Sequence, residues 1–452
     1  MDMSQERALV IGTGISGIGA ARLLARKGAG VTLYDEKEDI DIEGIRGRLG
    51  IDGVEIVAGV LPEAIDRAIT LLVISPGVPV DAPIVNRYRD RGIRIIGEIE
   101  LAYSCARGRL IGITGTNGKT TTTSLVGAMM RDYFGNAYVV GNIGNPYTDI
   151  AMDTDEASVT VAEISSFQLE TIETFRPNVS AILNITPDHL NRHHTMECYV
   201  ETKEAIARFQ TGEDYCVLNY ENEYTRDFGE RCPSRVVFFS SERVLENGFY
   251  LVNEDIYYSR NGVSQRIMNI YDMNLVGMCN IENVMAALAI GSCMGIPFEN
   301  LLKTIREFKA VEHRIEFVAT KRGVDYYNDS KGTNPDAAIQ GIRAMRKPTI
   351  LIGGGYDKGS TYDEWIEAFD GKVKKLILIG QTRDKIAACA RAHGFEDILF
   401  AESLEEVMRL CVELSVPGDA VLLSPACASW GMFPNYEVRG KLFKDFVYKI
   451  EE

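Results

Sequence analysis

Between Arg109 and Met129 the chain passes from a strand to a helix through a glycine-rich turn that carries a lysine and a run of hydroxyls. Arg109 to Ile113 reads as the end of a buried strand, and Leu125, Val126, Ala128 and Met129 begin an apolar helical face. Between them lies Gly112-Ile113-Thr114-Gly115-Thr116-Asn117-Gly118-Lys119-Thr120, followed by Thr121, Thr122 and Thr123. Glycines let backbone N–H groups approach a ligand, and a helix N-terminus attracts anions. Lys119 can reach terminal phosphates, and the Thr120 hydroxyl can ligate Mg²⁺. The strict eight-residue phosphate-loop pattern wants glycine where this chain has Ile113, so the match is to the shorter G-x-x-G-K-T form. The alternative is a plain glycine-rich strand-to-helix turn.

With 452 residues the chain exceeds a single core, and two to four domains are expected. The formal charge, 48 Lys and Arg minus 64 Asp and Glu, is −16. This argues against nucleic acid or an anionic membrane as partner, so an anionic nucleotide needs local cations. The nine cysteines are scattered without a C-x-x-C pair, as in a reduced, cytoplasmic protein. No apolar run reaches the roughly 18 residues of a membrane span, and the N-terminus lacks a signal-peptide core, so neither membrane insertion nor export is expected.

Ala8 to Ile11 is a short strand, followed by Gly12-Thr13-Gly14-Ile15-Ser16-Gly17, a helix from about Ile18 to Lys27, and a strand Val31 to Tyr34 ending at Asp35. This G-x-G-x-x-G with its acidic partner is the dinucleotide fingerprint, and it makes an NAD-dependent oxidoreductase a rival reading. Strands Leu71 to Ile74 and Ile93 to Ile96, with a helix from Ala82 to Arg91, complete a first α/β unit.

In the middle of the chain, strand Ser158 to Ile164 carries Glu163, a carboxylate that burial makes expensive unless it is paired or metal-bound. Strand Val179 to Ile185 ends in Thr186-Pro187-Asp188-His189-Leu190-Asn191-Arg192-His193, at the strand end where open α/β sheets place ligands. Lys203, on a helix from Met196 to Phe209, reads by itself as an ordinary surface lysine. Residues 214 to 270 mix short strands and polar turns. Asn280 starts a strongly apolar helix, with N-capping as its bland role, and shares a helix face with Asn283. Near Val311 a third α/β unit begins. Its strands end in polar turns at Asn328 to Pro335, Gly353 to Gly359 and Ser424 to Ser429.

Taken in order, GTNGKTT at Gly115 to Thr121, GNIGNP at Gly141 to Pro146, EISSFQL at Glu163 to Leu169, NITPDHLNR at Asn184 to Arg192, Lys203, Asn280 to Asn283, His313-Arg314, NDSKGTN at Asn328 to Asn334, Gly353 to Gly359 and SPACAS at Ser424 to Ser429 make the chain similar to the Mur ligases of bacterial cell-wall synthesis over essentially its whole length. The resemblance implies three α/β domains: an N-terminal Rossmann-like UDP-binding domain (1–106), a central P-loop ATPase-like domain with a mostly parallel sheet (107–310), and a C-terminal Rossmann-like amino-acid-binding domain (311–452). It implies an ATP-dependent amide ligase acting in peptidoglycan precursor synthesis, with two Mg²⁺ ions. Among its members, the turns at 353–359 and 424–429 favour the one that adds D-glutamate to UDP-N-acetylmuramoyl-L-alanine, working as a monomer. Other Mur-type ligases and folylpolyglutamate synthase are the alternatives within the superfamily.

Residue by residue, the resemblance implies that UDP lies near Ile15, Ser16, Asp35, Glu36 and Gly77, with Asn142 and His189 on the sugar-nucleotide substrate. ATP would take Gly115, Thr116, Asn117, Gly118, Lys119, Thr120, Thr121, Asn280, Asn283, Arg314 and Asp329, between the second and third domains, with closure of the third. Thr120, Glu163, His189 and a carbamoylated Lys203 would serve the metals. Thr333, Lys358, Ser429 and Tyr436 would grip D-glutamate, and Lys119, His189, Lys203 and Lys331 would attend the reaction. Two positions depart from the pattern: Cys279 stands where the family usually has His, and Tyr436 where Phe is familiar.

Overall fold

The computed structural model describes residues 3–309 and 311–451. The chain divides into two compact units. The first holds the chain through Asn269 together with Asn283–Ile305, and the second holds Ile270–Glu282 and the chain from Arg306 onward. The α/β expectation holds throughout.

The first unit contains two sheets. Strands β1 (Arg7–Ile11), β2 (Gly30–Asp35), β3 (Val54–Ala58), β4 (Leu71–Ile74) and β5 (Arg94–Gly97) form a parallel sheet in the order β3-β2-β1-β4-β5. The order reverses between β1 and β4, which opens a crevice beyond their carboxyl ends. Strands β6 (Arg109–Thr114), β7 (Ala137–Gly141), β8 (Val159–Glu163), β9 (Val179–Ile182), β10 (Tyr215–Asn219), β11 (Arg235–Ser240), β12 (Gly248–Val252), β13 (Asp255–Arg260) and β14 (Val263–Asn269) form the second, in the order β14-β13-β12-β11-β10-β9-β6-β8-β7. It is parallel from β7 to β12 and closes with the antiparallel pairs β12–β13 and β13–β14. One apolar core runs from Leu33 and Val73 of the first sheet to Val140 and Ile182 of the second, which is why the two sheets form one unit. β8 and β9 are buried along their whole length, as expected of parallel strands covered on both faces.

The second unit is built on β15 (Glu316–Lys321), β16 (Val324–Asn328), β17 (Thr349–Gly353), β18 (Val373–Ile379), β19 (Ile398–Ala401) and β20 (Ala420–Leu423), in the order β15-β16-β20-β17-β18-β19. All pairs are parallel except β15–β16. The loops after β16, β17 and β20 therefore emerge side by side at one sheet edge.

Two local expectations change. The first helix begins at Ile15 rather than Ile18, because Gly14 sits in the N-cap position directly after the glycine turn. The helix Met278–Cys293 begins two residues before Asn280, so Asn280 is not its cap. Its side-chain amide instead donates to the Val276 carbonyl at 2.8 Å. Among the described residues no helix is long and apolar enough to cross a membrane.

Candidate active site

The phosphate loop joins β6 to the helix Lys119–Phe134. Gly118 holds the N-cap position at φ 85°, where a Cβ would stand 2.3 Å from Asn283 Oδ1. Only glycine fits such a backbone without strain. The loop is clamped from β9's carboxyl end: Asn117 N–H donates to Asn184 Oδ1 at 2.8 Å, and Thr116 N–H to the Asn184 carbonyl at 2.9 Å. Lys119 Nζ curls over the loop and donates to the Gly115 and Thr116 carbonyls at 2.8 and 2.9 Å. Thr120 and Thr121 are buried in the first helical turn, and Thr122 Oγ1 donates to Asn283 Oδ1 at 3.2 Å.

Lys203 overturns its reading as a surface residue, being 2% exposed. Its Nζ donates to the Gly115 carbonyl at 2.9 Å and lies 4.7 Å above the Tyr199 ring. Burial, then the nearby Lys119 charge, holds its ammonium well below the ordinary lysine range. Asp188 pulls the other way, but among the described residues no carboxylate is ion-paired with Lys203, and a buried amine so placed favours its neutral, nucleophilic form.

Glu163, at the end of β8, is 2% exposed. Its Oε1 accepts from Asn142 Nδ2 at 2.8 Å, whereas Oε2 is buried with no hydrogen-bond partner. No lysine or arginine pairs with it among the described residues, which removes the strand-end salt bridge as its explanation. A buried carboxylate with one unsatisfied oxygen beside a phosphate loop fits a divalent cation, since a hard oxygen donor is what Mg²⁺ takes.

A line of aromatic contacts connects His189 to the loop. The His189 ring packs edge-on against Phe167 with centroids 5.0 Å apart, Phe167 stacks on His193 at 5.6 Å, and His193 leans on Tyr199 at 5.1 Å. The Tyr199 hydroxyl reaches Thr116 Oγ1 at 3.1 Å. His189 is half exposed and adopts a left-handed backbone at φ 52°, uncommon for a residue with a side chain. His193 is buried against Ser166 Oγ at 2.9 Å, and burial, then the Lys203 charge, lowers it to about 4. It is therefore a neutral support at physiological pH. Sequence reasoning passed over His193 and Tyr199. Their only signal was apolar company around a histidine cluster.

In the first sheet the glycine turn after β1 lies beside Asp35. The Thr13 hydroxyl and N–H both donate to Asp35 Oδ2, at 2.8 and 3.3 Å. Ile15 is 63% exposed, Ser16 is half-buried, and Glu36 and Gly77 are exposed around the same crevice. Arg192 ties this region to the phosphate-loop sheet, donating to the Val78 carbonyl at 2.9 Å and to Glu170 at 2.6 Å.

In the second unit Asp329 is buried at the end of β16, where it accepts from Ser424 Oγ at 2.7 Å and the Ile315 N–H at 3.2 Å. Burial pushes it up to about 7, against the opposing pull of those bonds and of Arg314. Asn280 belongs to this unit and is buried. Lys331 lies 5.3 Å over the Tyr436 ring, Lys358 lies 5.0 Å over Trp430, Ser429 is buried and Thr333 half-buried. The residue that sequence reasoning missed here is Arg439. It is 3% exposed, donates to Ser330 Oγ at 3.0 Å, the Ser330 carbonyl at 2.7 Å and the Cys427 carbonyl at 3.3 Å, and is lowered to about 10 by burial. It stitches the loop after β16 to the loop after β20.

The first unit thus brings together the loop residues 115–121, Asn142, Glu163, His189, Lys203 and Asn283. The second brings together Arg314, Asp329, Lys331, Thr333 and Ser429 on loops and Tyr436 at the start of the last helix, Tyr436–Lys449, with Lys358 following β17.

A nucleotide-phosphate loop with a buried lysine and an unsatisfied carboxylate, on a chain of three α/β sheets, defines a class of nucleotide-dependent enzymes. Three family models match in chain order: "Mur ligase MurD-like, N-terminal domain" at 6–97, "Mur ligase middle domain" at 113–291 and "Mur ligase, glutamate ligase domain" at 313–427. The chain belongs to the Mur ligase family. Its relatives include proteins named UDP-N-acetylmuramoylalanine–D-glutamate ligase from Lachnospira eligens, 57% identical over 450 residues, and from Clostridioides difficile, 46% identical over 453, each covering 100% of both chains. Among solved structures, the fold is similar to UDP-N-acetylmuramate-alanine ligase MurC of Thermotoga maritima (TM-score 0.61, 18% identity, 99% of this chain and 100% of that one). It is also similar to the MurF ligase of the same organism in complex with ADP (TM-score 0.60, 15% identity, 99% of each chain).

Proposed function

We propose that the protein joins D-glutamate to UDP-N-acetylmuramoyl-L-alanine at the expense of ATP, in the cytoplasm and as a monomer, with 1–106, 107–310 and 311–452 as its domains. The relatives' names support the substrate pair. The observation that carries the chemistry is the pair Lys119 and Lys203 on the phosphate loop, with the half-satisfied Glu163 on the strand beside the one that feeds it.

A carboxylate is a poor acyl donor, so its oxygen must first become a leaving group. A substrate carboxylate oxygen attacks the γ-phosphorus of ATP, the bond to the β-phosphate oxygen breaks, and ADP departs. The D-glutamate amine then attacks the acyl carbon of the acyl phosphate. The tetrahedral adduct expels inorganic phosphate as the amine loses a proton, leaving an amide. Backbone N–H groups from Gly115 to Thr120 cradle the phosphates and Lys119 neutralises charge on the transferring group, chiefly by positioning and preorganised electrostatics. Thr120, Glu163, His189 and Lys203 would hold two Mg²⁺ ions, whose contribution is to offset the charge of anions brought together in a chain that is itself acidic. Lys203 does this as a carbamate: its neutral amine adds to CO₂, loses a proton, and becomes a carboxylate-like ligand.

Asp35 and Ser16 would bind the uridine ribose and phosphates, with Ile15, Glu36 and Gly77 shaping the crevice and Asn142 orienting the substrate. Asn280, Asn283, Arg314 and Asp329 complete ATP recognition. Thr333, Lys358, Ser429 and Tyr436 hold D-glutamate, with Lys331 beside the reacting groups. Phosphate release measured with the uridine substrate and a panel of amino acids tests this reading. Turnover should require D-glutamate, and turnover with L-alanine or diaminopimelate but not D-glutamate would contradict it.

A further inference from the structure

On the second unit two short helical faces place four metal-type ligands against one another. Asp363 and Glu367 are one turn apart on the helix Asp363–Glu367. Cys389 lies on the helix Arg383–Ala392, and His393 is that helix's C-cap, again one turn away. Residues four apart share a helix face, the spacing by which two ligands on one helix grip a single ion.

The imidazole is oriented for ligation. Its Nδ1 lies 3.0 Å from the Cys389 carbonyl, the partner that fixes Nδ1 as the protonated nitrogen. Nε2 then turns its lone pair toward Asp363 Oδ1 at 3.8 Å and Glu367 Oε1 at 3.6 Å. Two carboxylates facing one imidazole nitrogen call for a positive species there, either the ring's own second proton or a cation bound in its place. Ligand atoms of Asp363, Cys389 and His393 all lie within 4.8 Å of one another, and the Cys389 sulfur is 4.0 Å from Nδ1. In a tetrahedral zinc site, metal–ligand bonds of about 2.0–2.3 Å put neighbouring ligand atoms roughly 3.3–3.8 Å apart. The carboxylate–imidazole distances already match, and the Cys389 sulfur would turn from the Nδ1 side of the ring toward Nε2 to join them.

A second group, Glu312, His313 and Glu316, satisfies the same proximity. There Lys444 supplies the positive charge, 2.6 Å from Glu312 and 2.8 Å from Glu316. Among the described residues no lysine or arginine is ion-paired with Asp363 or Glu367, whose only such partner is His393. We propose that Asp363, Glu367, Cys389 and His393 form a binding site for one divalent transition-metal ion of the zinc type. The thiolate and imidazole select against Mg²⁺ and Ca²⁺. Bound there, the ion clips the helix Asp363–Glu367 to the helix Arg383–Ala392, a role separate from the ligase reaction.

The test uses the full chain, stripped with a chelator, kept in saturating Mg²⁺ and titrated with Co²⁺ as the spectroscopic probe. One Co²⁺ per chain should bind with a thiolate-to-cobalt charge-transfer band, and Zn²⁺ should displace it. Cys389→Ala should abolish the band. His393→Ala should weaken Zn²⁺ by at least about 100-fold, since even outer-shell partners of metal ligands are worth 10–100-fold. Both variants should keep wild-type ligase turnover in Mg²⁺, which also shows that they fold. Absence of the band in the wild type, or its persistence in Cys389→Ala, would overturn the site. In that case the cluster is an imidazolium paired with two carboxylates.

Discussion

The first unit contains the same device twice: a strand, a glycine turn and a helix, once after β1 and once after β6. Both turns lie where strand order reverses, both helices begin without a side-chain cap, and both leave backbone N–H groups for an anion. Their surroundings differ. The turn after β1 has Asp35 tied to Thr13, exposed Ile15 and Glu36, and no lysine in the turn. The turn after β6 has Lys119 folded over it, Lys203 buried beneath it and threonine hydroxyls in its first helical turn. Glycines set a backbone shape that any phosphate can approach. In the function proposed above, the charges and hydroxyls around it would decide whether the ligand is a hydroxyl-bearing nucleoside diphosphate or a triphosphate about to react.

The largest expected effect breaks the second turn chemically. Lys203→Ala should lower turnover by about 10³-fold, the scale of losing a main electrostatic contributor, and small carboxylates such as acetate should partly restore phosphate release. Unchanged turnover would refute the carbamate role.

The glycines themselves sharpen the contrast. A Cβ on Gly17 would stand 1.8 Å from the Gly12 carbonyl, and one on Gly118 would meet Asn283 in a left-handed backbone. Gly17→Ala and Gly118→Ala should each destabilise the fold by roughly 1–3 kcal/mol in denaturant unfolding. Gly14 has no atom within 4 Å of such a Cβ and an ordinary φ of −72°. Gly14→Ala should therefore change stability by less than about 0.5 kcal/mol, yet raise KM for the uridine substrate several-fold while leaving KM for ATP alone.

A smaller effect separates support from chemistry. Glu98, buried between the two sheets of the first unit and accepting from Gln168 at 2.7 Å, is pushed up to about 7 by burial. As pH rises from 4.5 toward 7 the unfolded chain releases this proton before the folded chain does, so folded stability falls across that window and the deficit is constant above it. His193, lowered to about 4, works in the opposite sense between 4 and 6.5. Comparing Glu98→Gln with wild type cancels that term. The melting temperature of Glu98→Gln should gain on wild type between pH 4.5 and 7 and hold the gain at pH 8.

The smallest expected effect lies in the second unit. Arg439→Lys keeps the charge but loses the fork that joins Ser330 to Cys427, and should raise KM for D-glutamate several-fold with little change in KM for ATP.

Both glycine turns, the strands that feed them and the clustering of polar turns at strand ends were legible in the sequence, because period, glycine spacing and strand-end position are local properties. What the sequence left open was burial. Lys203 sits on a helix whose own residues give no sign that it is buried against the Gly115 carbonyl of the phosphate loop. Arg439 looks like one of many charges on the last helix until the two loops it bridges are seen together. Asn280 reads as a cap in the sequence, whereas the helix begins at Met278. The ligand cluster at Asp363, Glu367, Cys389 and His393 is likewise invisible in one dimension, since its halves come from different helices.

The contrast between the two turns is tested most directly by crossed titrations of two variants, Lys119→Ala and Asp35→Ala, each with a non-hydrolysable ATP analogue and with UDP-N-acetylmuramoyl-L-alanine. The prediction is a clean exchange: Lys119→Ala loses the ATP analogue and keeps the uridine substrate, and Asp35→Ala does the reverse. Loss of the same ligand in both variants, or NAD binding in the wild type that Asp35→Ala abolishes, would contradict it.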